Sequence, residues 1–60
     1  MNVKVKFKPN SKFNNCNYPE IFENVTEVHY NYNNSGRIAI ELEDTGYTYD
    51  IDEIKEFETY

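Results

Sequence analysis

The chain has 60 residues, a net charge of −5 and ten aromatic side chains, six Tyr and four Phe. A fold this short buries only about 60% of the surface of its unfolded chain, which argues against an enclosed substrate cavity. The aromatic content separates it from disordered chains, and Tyr-rich surfaces suit interfaces. Its single Cys, Cys16, excludes an internal disulfide framework. Self-association is the remaining aid for so small a core, and a homodimer is expected.

Charge is uneven along the chain. Residues 1 to 17 carry Lys4, Lys6, Lys8 and Lys12 and no acid, for +4; residues 18 to 60 carry eleven acids against Arg37 and Lys55, for −9. Such a balance argues against direct nucleic-acid binding, which needs a net basic face. It favours either a basic partner or simple solubility.

The first stretch, MNVKVKFK, alternates Lys with Val3, Val5 and Phe7. That is the period-two pattern of a strand with one buried face. It lacks the continuous apolar run of a signal peptide or membrane span, so a cytoplasmic location is expected. On that ground the glycosylation patterns at Asn24-Val25-Thr26 and Asn33-Asn34-Ser35 are read as chance matches. Pro9 stops the strand, and residues 9–19 read as a long loop, with Phe13 and Tyr18 as core lids or partner anchors. Cys16, among Asn residues, reads as a plain thiol.

Ile21 to Val25 resumes a short strand pattern. From Val28 the alternation is clear, with Val28, Tyr30 and Tyr32 on one face and Glu27, His29 and Asn31 on the other. Asn34-Ser35-Gly36 fits a three-residue hairpin loop, which places Tyr32 opposite Ile38, Tyr30 opposite Ile40 and Val28 opposite Leu42. Thr45-Gly46 fits the next loop, which places Asp44 opposite Tyr47, Leu42 opposite Tyr49 and Ile40 opposite Ile51. Both turns put the same residues inside, as a side-chain period of two requires.

The outer face then reads in three rows: His29, Glu41, Asp50; Glu27, Glu43, Thr48; and Asn31, Ala39, Asp52. Like charges directly opposite each other destabilise a sheet. Solvent screening, neighbouring Lys side chains, a bound cation or a basic partner surface can each offset that cost. One imidazole and two carboxylates suit metal chemistry, but a flat row offers no enclosure and no evident second shell, so no metal or other cofactor is expected. The same lack of a desolvating pocket argues against acid–base catalysis, and no enzyme is expected.

At the C-terminus, Ile51, Ile54 and Phe57 at spacing three fit either a short amphipathic helix or a helical turn at Asp52-Glu53-Ile54 followed by a closing strand, Lys55 to Thr59. The second is favoured. Too few residues follow Ile54 for a stable lone helix, and a last strand pairing with Val3 to Phe7 removes an exposed edge. It also brings Glu56 and Glu58 near Lys4 and Lys6. The expected fold is therefore one all-β domain over residues 1–60, a small antiparallel sheet curled into an SH3-like, partly open barrel with a short helical turn near the C-terminus.

The succession KVKFK, IFENVTEVHYN, GRIAIELED, GYTYDIDEIKEFE resembles the short β-rich proteins encoded by phages and prophages of low-GC Gram-positive bacteria, some of which inhibit host immunity. The resemblance covers most of the chain and is one of pattern, with no individual functional residue carried over. It implies an anti-defence inhibitor in the host bacterial cell, of the anti-CRISPR or anti-Hachiman kind, acting by stoichiometric binding. A rigid row of carboxylates can occupy a basic channel as phosphates do. The expected partner-binding residues are Glu27, His29, Glu41, Glu43, Asp50 and Asp52, facing a basic surface on a host defence protein. A small structural or assembly protein of a phage or mobile element is the alternative.

Overall fold

A computed structural model describes residues 1–12 and 18–60. Six strands appear in chain order: β1 (Val3–Phe7), β2 (Glu20–Phe22), β3 (Glu27–His29), β4 (Arg37–Glu41), β5 (Gly46–Asp50) and β6 (Ile54–Thr59). One-turn 3-10 segments lie at Tyr32–Asn34 and Ile51–Glu53. The strands form two antiparallel three-stranded sheets, ordered β2-β1-β6 and β3-β4-β5. This is the expected all-β architecture, with a helical turn leading into a closing strand.

The alternation in β1 does what its period requires. Val3, Val5 and Phe7 are buried, while Lys6 and Lys8 are exposed. β6 closes on β1 with Lys4 opposite Glu58 and Lys6 opposite Glu56, so the basic strand meets the acidic one across the ladder. A bulge between Lys6 and Phe7 ends this register. The Lys8 N–H then donates to the Glu53 carbonyl at 2.9 Å, tying the strand's end to the second 3-10 turn.

The run from Glu20 to His29 serves both sheets because it breaks in the middle. Asn24 takes φ 59°, a left-handed conformation that Asn tolerates better than most residues. β2 therefore pairs with β1, and β3 with β4. Between them Val25 is buried, its N–H donating to the Met1 carbonyl at 2.8 Å. Phe22 spans the gap between sheets, with ring centroids 5.1 Å from Tyr47 and 6.2 Å from Tyr49. Phe7 meets Tyr49 edge-on at 5.1 Å. The core comprises Val3, Val5, Phe7, Phe22, Val25 and Ile40, with Val28, Leu42, Tyr49, Ile54 and Phe57 packed against it.

Both hairpins differ in register from the sequence expectation. Val28 lies opposite Ile40 rather than Leu42, and Tyr49 lies opposite Ile38 rather than Leu42. The first connection takes up all of residues 30 to 36 because Asn31, Asn33 and Asn34 each adopt positive φ. The Asn31 Oδ1 accepts from the Gly36 N–H at 2.9 Å, and the Ser35 hydroxyl donates to the Tyr32 carbonyl. Tyr30 and Tyr32, expected inside, are therefore exposed in that connection. The second loop spans residues 42–45, closed by the Leu42 N–H donating to the Thr45 carbonyl at 2.9 Å. Ile51 does not face Ile40; its N–H donates to Gly36 at 2.9 Å as the 3-10 turn begins.

Phe13 and Cys16 lie outside the described residues. Tyr18 is exposed, so a lid role for it is not seen.

Candidate functional site

The revised register regroups the outer face of the β3-β4-β5 sheet. Glu27 and Glu41 stand directly opposite each other, and Gly46 is the next residue across. His29 faces Ala39, which faces Thr48. Arg37 faces Asp50. The three expected rows therefore do not exist as drawn.

Glu27, His29 and Glu41 come together. In a strand, residues two apart share a face, so Glu27 and His29 point the same way, and Glu41 reaches them from the neighbouring strand. The His29 Nε2 lies 2.7 Å from the Glu41 Oε2 and 3.1 Å from the Glu27 Oε2. Three potential ligand atoms, one from each residue, lie within 4.8 Å of one another. The Tyr32 ring flanks the imidazole, centroid to centroid 5.5 Å. The Glu41 backbone is pinned here as well: its carbonyl accepts from the Thr26 N–H at 2.8 Å and the Thr26 hydroxyl at 3.0 Å.

Electrostatics follow from this geometry. Two carboxylates opposite each other repel, and an imidazolium between them offsets that repulsion. The Glu41 carboxylate bonded to the ring raises the His29 pKa above its ordinary 6.5, with the Glu27 bond and both negative charges adding to the shift and partial desolvation opposing it. Tyr49, packed against the core, is also raised from 10.0, chiefly because burial disfavours the phenolate, with Glu20 and Tyr47 adding charge repulsion.

The other expected site residues lie elsewhere. Asp50 accepts from the Arg37 Nε at 3.0 Å and lies 3.9 Å from the Lys12 Nζ, so it belongs to an ion-pair group that ties residue 12 to the sheet. Glu43 is exposed in the 42–45 loop, and Asp52 is exposed on the second 3-10 turn. The alternation alone set Glu41 opposite His29, whereas the ladder sets it opposite Glu27. Arg37 was not singled out, although its place at the start of β4 opposite the last residue of β5 makes it the natural partner of Asp50.

Comparison with protein-family models, with curated proteins and with solved structures gives no match. Among the described residues, no helix is long and apolar enough to cross a membrane.

Proposed function

We propose that this chain is a binding protein rather than an enzyme: a phage-type anti-defence inhibitor that sets the carboxylates of its β3-β4 face against a basic surface of a host immune protein, of the anti-CRISPR or anti-Hachiman kind. The observation that carries the reading is the Glu27–Glu41 pair. These side chains are directly opposite in register yet 65% and 47% exposed, so their charge is presented rather than buried. The net charge of −5 adds long-range attraction to a basic partner. His29 and Tyr32 at the edge of the pair supply flat anchoring surface of the kind that dominates interface energetics. Glu43 extends the acidic face from the adjoining loop, whereas Asp50 is paired by two cations, Arg37 and Lys12, against one shared imidazole for Glu27 and Glu41, and is left out of the docking set.

The experiment is a pull-down from bacterial lysate with wild type and with Glu27→Gln/Glu41→Gln, after circular dichroism has confirmed that both fold. The reading requires a defence nuclease, helicase or comparable enzyme to be captured by wild type and lost with the variant. Equal capture by both removes the acidic face from the account.

A second reading, a structural or assembly protein, is favoured by a different observation. Tyr18, Tyr30, Tyr32, Tyr47 and Ile21 are all exposed large apolar side chains. Self-association through them, including the homodimer, buries aromatic area and is far less sensitive to salt than an electrostatic complex.

A further inference from the structure

We propose that Glu27, His29 and Glu41 form a binding site for a borderline divalent transition-metal ion, Zn²⁺ or a close analogue, clamping β3 to β4. This goes beyond the partner-docking role of the same face and competes with it, since an ion held by both carboxylates cancels the charge they present to a partner. The donor set is one imidazole nitrogen and two carboxylate oxygens, which suits Zn²⁺, Co²⁺ or Ni²⁺ better than the all-oxygen preference of Mg²⁺ or Ca²⁺.

The geometry is already close to what such an ion needs. Ligand bonds of about 2.0–2.2 Å at tetrahedral angles put neighbouring donor atoms roughly 3.3 Å apart. The Nε2 separations of 2.7 and 3.1 Å from the two carboxylate oxygens lie within about 0.6 Å of that spacing. The ring nitrogen is within hydrogen-bonding distance of both carboxylates, and the three donor atoms lie within 4.8 Å of one another. The three donors stand on paired strands rather than on loops, and the Thr26 bonds to the Glu41 carbonyl fix the strand spacing at this point. Placement on paired backbone favours precision.

The register adds an electrostatic argument for the form in which His29 is neutral. Glu27 and Glu41 are Cα partners across the ladder, an arrangement with an electrostatic cost that a cation between them removes. On the far side of Glu41 the strand neighbour is Gly46, which carries no side chain, so that flank is open to a solvent ligand completing the coordination. The Tyr32 ring covers the imidazole on the other flank.

Chelator-treated full-length protein titrated with Zn²⁺ by calorimetry tests the site, with Co²⁺ absorption reporting the coordination geometry. The expected result is one ion per chain for wild type and for Cys16→Ser, which removes the only thiol. Affinity is expected to fall at least roughly tenfold in His29→Ala and in Glu27→Gln/Glu41→Gln, with unchanged circular dichroism. If one of these variants does not fold, the other gives the readout, and the ring-nitrogen shift of the single His in wild type follows the ion directly. Absence of saturable one-to-one binding below millimolar Zn²⁺ overturns the proposal, as does binding that survives both variants or disappears in Cys16→Ser. Because no partner is present, failure here leaves the docking role to stand or fall on its own pull-down.

Discussion

Replacing Ile40 is the sharpest test of the packing. Ile40 is fully buried at the centre of β4, where its side chain belongs to the core that joins the two sheets. A chain of this length has a total stability of about 3–9 kcal/mol, at 0.05–0.15 kcal/mol per residue. Ile40→Ala removes three buried carbons and leaves a cavity, a loss of about 2–5 kcal/mol, which is most of that margin. Ile40→Val removes a single methyl group and costs about 0.5–1.5 kcal/mol. Ile21 provides the control, since it is 47% exposed on the outer face of β2 and its replacement by Ala is expected to cost less than either Ile40 change. Urea unfolding followed by circular dichroism ranks all three. Ile40→Ala costing no more than Ile21→Ala would refute the core assignment and with it the observed β3-β4 register.

The two glycines separate in sign. Gly36 sits at φ 75°, so Gly36→Ala is expected to lose about 1–2 kcal/mol, whereas Gly46 lies in ordinary strand backbone with only van der Waals neighbours, and Gly46→Ala is expected to gain about 0.4–1 kcal/mol; thermal unfolding reads both. His29 has a folded pKa above its ordinary 6.5, so its stabilising contribution is complete below pH 6.5 and is lost as pH rises through the raised value. An NMR titration of the single imidazole, run with chelator, should show a midpoint above 6.5 that falls more with Glu41→Gln than with Glu27→Gln; a wild-type midpoint at or below 6.5 contradicts the bonds from the two carboxylates to the ring. Asp50→Asn weakens exposed ion pairs to Arg37 and Lys12 and is expected to cost only about 0.2–1 kcal/mol, checked by the same urea unfolding.

Much of the fold was legible in the alternation of residue types. Val3, Val5 and Phe7 declared an inward face, Pro9 ended the strand, and the charges of β6 matched those of β1 in the register Lys4–Glu58 and Lys6–Glu56. The hairpin registers were not legible, for a specific reason. A period of two fixes which side chains face inward but is unchanged by any even shift. Moving Val28 from Leu42 to Ile40 is a shift of two, and moving Tyr49 from Leu42 to Ile38 is a shift of four. Agreement between the two turns was therefore guaranteed by parity and said nothing about loop length. Loop length depended on three Asn residues adopting left-handed backbone, which many Asn residues in polar segments do not do.

The site inherited this ambiguity. Glu27, His29, Glu41 and Asp50 lie on the strands where the alternation put them, but with other neighbours, and Glu43 and Asp52 lie in a loop and on a 3-10 turn instead. Asp50 moved to Arg37, and Glu27 replaced it beside His29 and Glu41. Cross-strand chemistry depends on neighbours, so a row of bare carboxylates became one imidazole-bridged pair and one ion-pair group.

In the proposed function, Glu27 and Glu41 are presented to a basic partner. The most direct test of this is the affinity of the captured partner for wild type and for Glu27→Gln/Glu41→Gln, measured from about 0.05 to 0.5 M salt, a range over which screening of exposed charges becomes nearly complete. Wild-type affinity is expected to fall steeply with salt, and the variant to respond more weakly and more flatly. Equal affinities with no salt dependence would contradict the proposed function and assign the contact to the exposed tyrosines.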